Sequence, residues 1–411
     1  MLESLAHSGV SRIARFGSRE VVFDRGEQGI VYDVQGRSYV DFVLGYGPVI
    51  VGHAVPEFQT RIAGMLGHGL MMPGFTRWHL EYLSKLLDGH EDLRASIFKT
   101  GSEAVTGAFR LAAFATRKLG VIRCGYVGWH DAQLANTIRW HEPLTSPLRD
   151  QIKYTEAMRG VSSHEPVFNW TTFDLAELEA ALDEHRGSIG AFIIDAYLVS
   201  LTDLATIRAA LALCRKAGVV VIFDETKTGG RVSRLGVAID TELDVDLVVL
   251  GKALANGAPI SLVIGREKLL RATDQVRLGG TFSKEMFAIY AALATFDLME
   301  AGDGYKAIAD LGCRVVERFN AASSKLGLQH RVSARTVLGG SLFELVYGES
   351  LVGDEGQRKL LRRCLADHGI LLLDAHPSYS CLGHRHLAWD QLERQFSEGL
   401  SAWAAEAQRA P

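Results

Sequence analysis

The sequence predicts an α/β protein with a mostly parallel central sheet, helices on both of its faces, and a smaller α+β domain attached. Three observations carry this expectation. The runs VIRCGYV, GAFIIDAY, VVVIFDE and VDLVVLGK are short, nearly continuous apolar stretches, the pattern of strands buried on both faces. A helical stretch, DLATIRAALALCRKAG, separates the second run from the third, and helical crossovers of this kind join parallel neighbours. With 411 residues the chain is long enough for two domains and a sizeable core.

Along the chain, VVFDRG, GIVYDVQGRSYVDFV and LGYGPVIVGH alternate β-branched and aromatic residues with turn formers, which reads as a small β meander. From about residue 76 the text changes. WHLEYLSKLLDG is helical, ASIFKT is a short strand, and GSEAVTGAFRLAAFATRKLG is a long amphipathic helix, together a βα unit. The four apolar runs follow. After residue 290 come the helices AIYAALATFDLMEAG and RVVERFNAASSKLG, the strand SLFELVYG, and a further helix. Residues 61–295 are therefore expected to form the large domain, with residues 1–60 and 296–411 forming the small one.

Composition narrows the function classes. Apolar residues make up 47% and charged residues 22%, and the formal net charge is -4, so the chain carries no electrostatic footprint for nucleic acid or an anionic membrane. Cys124, Cys214, Cys313, Cys364 and Cys381 are scattered without a CxxC pair, which suits reduced thiols in the cytosol. The N-terminal text does not read as a signal peptide, and no run of eighteen apolar residues occurs, so a cytoplasmic protein is expected. His130-Asp131, His141 and the His384/His386 pair come without HExxH or a fixed ligand spacing, and no metal site is expected. Trp129 and Trp140 read as core or pocket-wall aromatics.

Three strand ends carry candidate chemistry. Gly101 and Ser102 stand where a strand meets a long helix, either as a plain helix N-terminus capped by Ser102 or as a site where backbone N–H groups hold a phosphate. Asp224 leaves the strand VVVIFDE as a buried carboxylate that needs a partner: a salt bridge, a helix cap or a protonated pyridine nitrogen. Lys252 ends VDLVVLGK and either snorkels to solvent or is a desolvated amine of lowered pKa, as Schiff-base chemistry requires. An acid and an amine at the same end of neighbouring strands, with an anion site beside them, match the three points that hold pyridoxal 5′-phosphate. No GxSxG elbow surrounds Ser102, and no GxGxxG follows the first strand, which argues against a hydrolase and a nicotinamide dehydrogenase.

Over almost its entire length the chain resembles the class III aminotransferases, of the pyridoxal-phosphate transferase fold type I. GSEAVTGAFRLA is similar to the family's phosphate-binding helix start, GYVGWHDA to its stacking turn and FDETKTGGR to its aspartate motif. VVLGKALANGAPIS is similar to the lysine motif, and GGTFS to the phosphate loop supplied by the partner subunit. The resemblance implies that Lys252 binds the cofactor as a Schiff base and moves the proton, while Asp224 keeps the pyridine nitrogen protonated. It implies that Tyr126, otherwise a strand-end core aromatic, stacks on the ring. It further implies that Gly101, Ser102 and, across a homodimer interface, Thr281 hold the phosphate of a site the two subunits share. The substrates implied are a small-molecule amino donor, by default glutamate or glutamine, and a carbonyl acceptor.

LGYGPVIVGHAVPEF and the overall length resemble the glutamate-1-semialdehyde aminomutase branch, but the pocket departs from it. That branch has tryptophan where Tyr46 stands, histidine at the position of Val127, Glu-Pro where this chain has Asp195-Ala196-Tyr197, and a glycine-rich run in place of Ala253 to Gly257. At Lys227 many class members have glutamine or methionine; the lysine either draws a phenolate or substrate carboxylate, or is a solvated surface residue. Tyr46, Trp129 and Lys227 are thus candidate pocket residues. The expected reaction is intermolecular amino transfer in natural-product or amino-sugar biosynthesis, with intramolecular transfer of the aminomutase type as the alternative. A non-catalytic metabolite-binding relative would need a lost lysine or an added DNA-binding module, and this sequence has neither.

Overall fold

The computed structural model describes residues 14–16, 19–130, 167–170, 172–374 and 376–408. Two compact units divide the chain: residues 60–300, and residues 1–59 together with 301–411.

Among the described residues of the unit 60–300, seven strands form one sheet. They are β1 (Leu93–Phe98), β2 (Gly120–Cys124), β3 (Val167–Asn169), β4 (Ile189–Asp195), β5 (Val220–Glu225), β6 (Leu247–Leu250) and β7 (Ser261–Arg266), in the order β1-β7-β6-β5-β4-β2-β3. Pairs β6-β5, β5-β4, β4-β2 and β2-β3 are parallel, so the expected mostly parallel sheet is present. Every residue of β4, β5 and β6 is buried, which is why these strands are unbroken apolar text. The helices α1 (Gly101–Thr116) and α2 (Leu204–Lys216) pack on this sheet, and the core includes Ala104, Ala108 and Leu111 of α1 against Ile193, Ile222 and Val249.

Only β7 departs from the parallel arrangement, pairing antiparallel with both β6 and β1. The cause is the length of the connection. Residues 251–260 are too few for a crossover, which needs a dozen or more residues, so the chain reverses instead. That reversal begins at Lys252 and includes Asn256 and Gly257, all at positive φ.

In the unit of residues 1–59 and 301–411, the expected meander is present as antiparallel strands Phe23–Glu27, Ile30–Asp33 and Ser38–Asp41, with Ile370–Leu371 added in parallel. The run LGYGPVIVGH forms turns rather than a strand. Leu44, Gly45, Tyr46 and Gly47 all take positive φ, which extended pairing does not allow. A second sheet, Val332–Val337, Leu342–Tyr347 and Ser378–Tyr379, packs with helices Gly304–Lys325, Glu355–Asp367 and Trp389–Ala407 around Phe319, Phe343, Leu365, Phe396 and Trp403. This is the α+β unit the sequence leads one to expect.

Candidate functional site

Parallel pairing brings Asp224 of β5 opposite Asp195 of β4, at the ends where both strands give way to turns. Residues opposite each other on neighbouring strands share a face of the sheet. Both carboxylates are buried, Asp224 to 2% exposure. Asp224 Oδ1 accepts the Thr226 N–H at 3.0 Å, but burial and the neighbouring Asp195 charge push its pKa up to about 6. Glu225 follows it on the opposite face. There it accepts from the Thr228 hydroxyl and, at 2.7 Å, from the Ala238 N–H, and burial raises its pKa to about 7.

Asp195 has a full counter-charge. Its Oδ1 accepts the Tyr197 N–H at 3.2 Å, and Lys227 Nζ bonds to its Oδ2. Lys227 is 2% exposed, so of its two sequence readings the solvated surface lysine is excluded. Its ammonium lies 5.6 Å from the ring centroids of both Tyr126 and Tyr197, within cation–π range.

Lys252 stands two residues past the end of β6, at φ 46, a conformation uncommon for a side-chain-bearing residue and found at functional sites. The residue is partly buried. Burial of the amine, reinforced by the positive charge of Lys227, lowers its pKa to about 8, against the pull of Asp195 and Asp224 in the other direction.

One residue joins the three strand ends. The methyl group of Thr226 lies 3.0 Å from where a Cβ on Gly101 would sit and 3.5 Å from the same position on Gly251. The turn after Asp224, the start of α1 and the residue before Lys252 thus touch one side chain. The cap of α1 is Thr100: its side chain accepts the Glu103 N–H at 3.2 Å, and Glu103 Oε2 accepts the Thr100 N–H at 2.9 Å. Ser102 lies one residue inside the helix and is not the cap. Its hydroxyl accepts the Trp129 N–H at 3.2 Å, which ties the turn carrying Tyr126 to the helix start. That turn begins at Gly125, whose φ of 91 and close approach to Asp195 Cβ leave no room for a side chain. Tyr126 is 37% exposed, and burial together with the Asp224 and Asp195 charges raises its pKa.

The remaining candidates sit differently. Trp129 is exposed, its ring packed edge-on at 5.0 Å against His130, which meets Thr106 at 3.0 Å. Thr281 is exposed in the turn Thr281–Lys284. Tyr46 belongs to the other unit, 56% exposed and edge-on to His376 at 5.7 Å. Asp131, Trp140 and His141 lie outside the described residues. Among the described residues no three His, Cys, Asp or Glu side chains gather as a metal set, and no helix is long and apolar enough to cross a membrane.

These features fit pyridoxal 5′-phosphate in chemical terms. A buried carboxylate with a raised pKa gains from a cationic ring nitrogen, an amine near pKa 8 is partly neutral at physiological pH, and a helix N-terminus accepts a phosphate.

Comparison with known proteins gives the same answer. The chain is 28% identical over 397 residues to a 2'-deamino-2'-hydroxyneamine transaminase of Streptomyces kanamyceticus, covering 93% of this chain and 91% of that protein. It is 29% identical to a glutamate-1-semialdehyde 2,1-aminomutase of Nitrosospira multiformis, over 84% of this chain and 81% of the other. A solved transaminase with pyridoxal phosphate bound superposes with a TM-score of 0.83 at 22% identity, covering 99% of this chain and 98% of its own, which shows the shared fold. The profile of the family described as "Aminotransferase class-III" matches residues 14–387, so the chain belongs to the class III aminotransferases, enzymes that depend on pyridoxal 5′-phosphate.

Proposed function

We propose that this aminotransferase moves an amino group from an amino-acid donor to a carbonyl of a small natural-product or amino-sugar acceptor, with Lys252 and Asp224 as its catalytic pair. The observation that carries this reading is the position of the partly buried Lys252 just past the end of β6, its pKa lowered to about 8, in the field of the buried Asp224 carboxylate. When bound, pyridoxal phosphate supplies an aldehyde that takes up the amino group and a ring that withdraws electrons from the carbon losing its proton. Lys252 is the amine through which the cofactor is attached, and it carries the proton at the substrate Cα. Both tasks need a neutral amine, which an ordinary lysine at pKa 10.5 does not offer near pH 7.

Asp224 presents its carboxylate to the ring nitrogen, and Tyr126 presents its ring face. Gly101 and Ser102 contribute the first turn of α1 to the phosphate. Thr281 acts across a homodimer; its exposure supports this, as does that of Leu70, Met71 and Phe282 around the bridge that pairs Met71 with Glu285. Trp129, exposed beside the turn that carries Tyr126, belongs to the substrate side of the site. The five cysteines are free thiols, which suits the cytosol.

The acceptor class is supported by the similarity to the Streptomyces transaminase over 93% of the chain. Intramolecular transfer is the second reading, favoured by the similarity to aminomutases. Incubation of the loaded enzyme with glutamate or glutamine and a panel of keto- and aldehydo-sugars separates the two. Deaminated donor that exceeds one equivalent per enzyme only when an acceptor is present supports the first. An amino group that changes position within one substrate, with no donor added, contradicts it.

A further inference from the structure

Asp195 and Asp224 lie opposite each other on parallel strands about 4.8 Å apart, and both side chains are at least 98% buried. Two carboxylates so placed cannot both remain ionised without a cation. Lys227 supplies one, but unevenly. Its ammonium bonds directly to Asp195 and lies 5.6 Å from the ring centroids of Tyr126 and Tyr197, whereas Asp224 is met by Thr226. Among the described residues, one carboxylate of the pair therefore has a cation bonded to it and the other has none, which leaves Asp224 to a ligand.

We propose that Lys227 is a positioning residue: by neutralising Asp195 it reserves the Asp224 carboxylate for the ring nitrogen of the cofactor and sets the field in which the Lys252 amine acts. The inference rests on the reading of Lys252 and Asp224 as the residues that hold the cofactor. Lys227 does not reach the substrate as a free cation, because it is buried and its charge is satisfied by Asp195. Its influence passes through Asp195, through the ring of Tyr126, and through space to Lys252. Among the described residues, the charged groups in the field of Lys252 include Lys227, Asp195, Asp224 and Arg231. Of these, Lys227 is the strongest in lowering the amine's proton affinity, second only to burial.

The test uses the full chain without cofactor, so that the Lys252 amine is free to react. The rate at which acetic anhydride labels Lys252, read on its own peptide by mass spectrometry across the pH range, gives the titration of that amine. Lys227→Met and Lys227→Gln should both move it upward, slowing labelling at pH 7 about tenfold for each unit of displacement. Asp195→Asn should move it downward, and Asp195→Asn combined with Lys227→Met should return it close to the starting position. Where Lys227→Met does not fold, Lys227→Gln, which keeps an amide donor for Asp195, carries the test. An unchanged Lys252 titration in a natively folded Lys227→Gln protein overturns the proposal, as does displacement of Lys227→Gln and Asp195→Asn in the same direction. Pyridoxal phosphate binding is measured in parallel. Failure of the unaltered protein to bind it through Lys252 would count against the functional reading itself, whereas an unchanged titration with normal binding counts only against Lys227.

Discussion

Replacing Asp224 with asparagine should make the cofactor-free protein more stable while removing its function. Burial and Asp195 raise the Asp224 pKa from 3.8 to about 6, against the help of Thr226 and Lys227. A carboxyl with a higher pKa in the folded chain holds its proton more tightly there. Folding is therefore unpenalised below about pH 4, loses ground as the pH rises toward 6, and bears the full cost above it. A rise of about two units corresponds to about 3 kcal/mol at 1.36 kcal/mol per unit. An asparagine side chain cannot ionise, so Asp224→Asn should recover up to that amount at pH 8 and almost none of it at pH 4. Thermal unfolding of both proteins without cofactor, across this pH range, measures the difference. Adding pyridoxal phosphate should reverse the order, because the ring nitrogen supplies the cation that the Asp224 carboxylate lacks and that a neutral amide cannot use. A variant that is less stable than the parent at pH 8, or whose advantage grows as the pH falls, would refute the reasoning.

Two further predictions concern the frame of the molecule. Thr100→Ala removes the side-chain acceptor of the Glu103 N–H at the start of α1, so it should lower stability by about 1 kcal/mol, and Thr100→Ser should restore most of it, as read by denaturant unfolding. Gly312→Ala sets a helix-propensity gain of about 1 kcal/mol against a Cβ that would sit 1.9 Å from the Gly340 carbonyl oxygen. Backbone does not yield at that distance, so the clash should win, and the variant should unfold at a clearly lower temperature.

The placement of Lys252 and Asp224 was legible in the sequence because each ends an apolar run; either alone has an ordinary explanation, and it was their combination with a helix start that pointed to one site. The parallel sheet was legible for the same reason: β4, β5 and β6 are buried throughout, so their text is apolar throughout. What escaped depends on register or on connection length. The bond between Asp195 and Lys227 joins residues on different elements, and it follows only from the alignment of Asp195 with Asp224 across β4 and β5. Thr226 gave no signal, because its role lies in where its methyl group packs. Ser102 looked like a helix cap, but a serine two residues past a threonine is one of two possible caps, and the Thr100–Glu103 spacing, a capping box, was the signal that could have decided it. The strand SLVIGR was hidden behind the lysine motif, and its antiparallel direction follows from the short reversal that presents Lys252.

The identity of the amine that carries the cofactor is the most direct test of Lys252. The measurement is to load the protein with pyridoxal phosphate, fix the attachment by borohydride reduction, and locate the label by peptide mass spectrometry. A single labelled peptide is expected, with the label on Lys252 and none in Lys252→Ala. A label on Lys227, or one that persists when Lys252 is replaced, would contradict it.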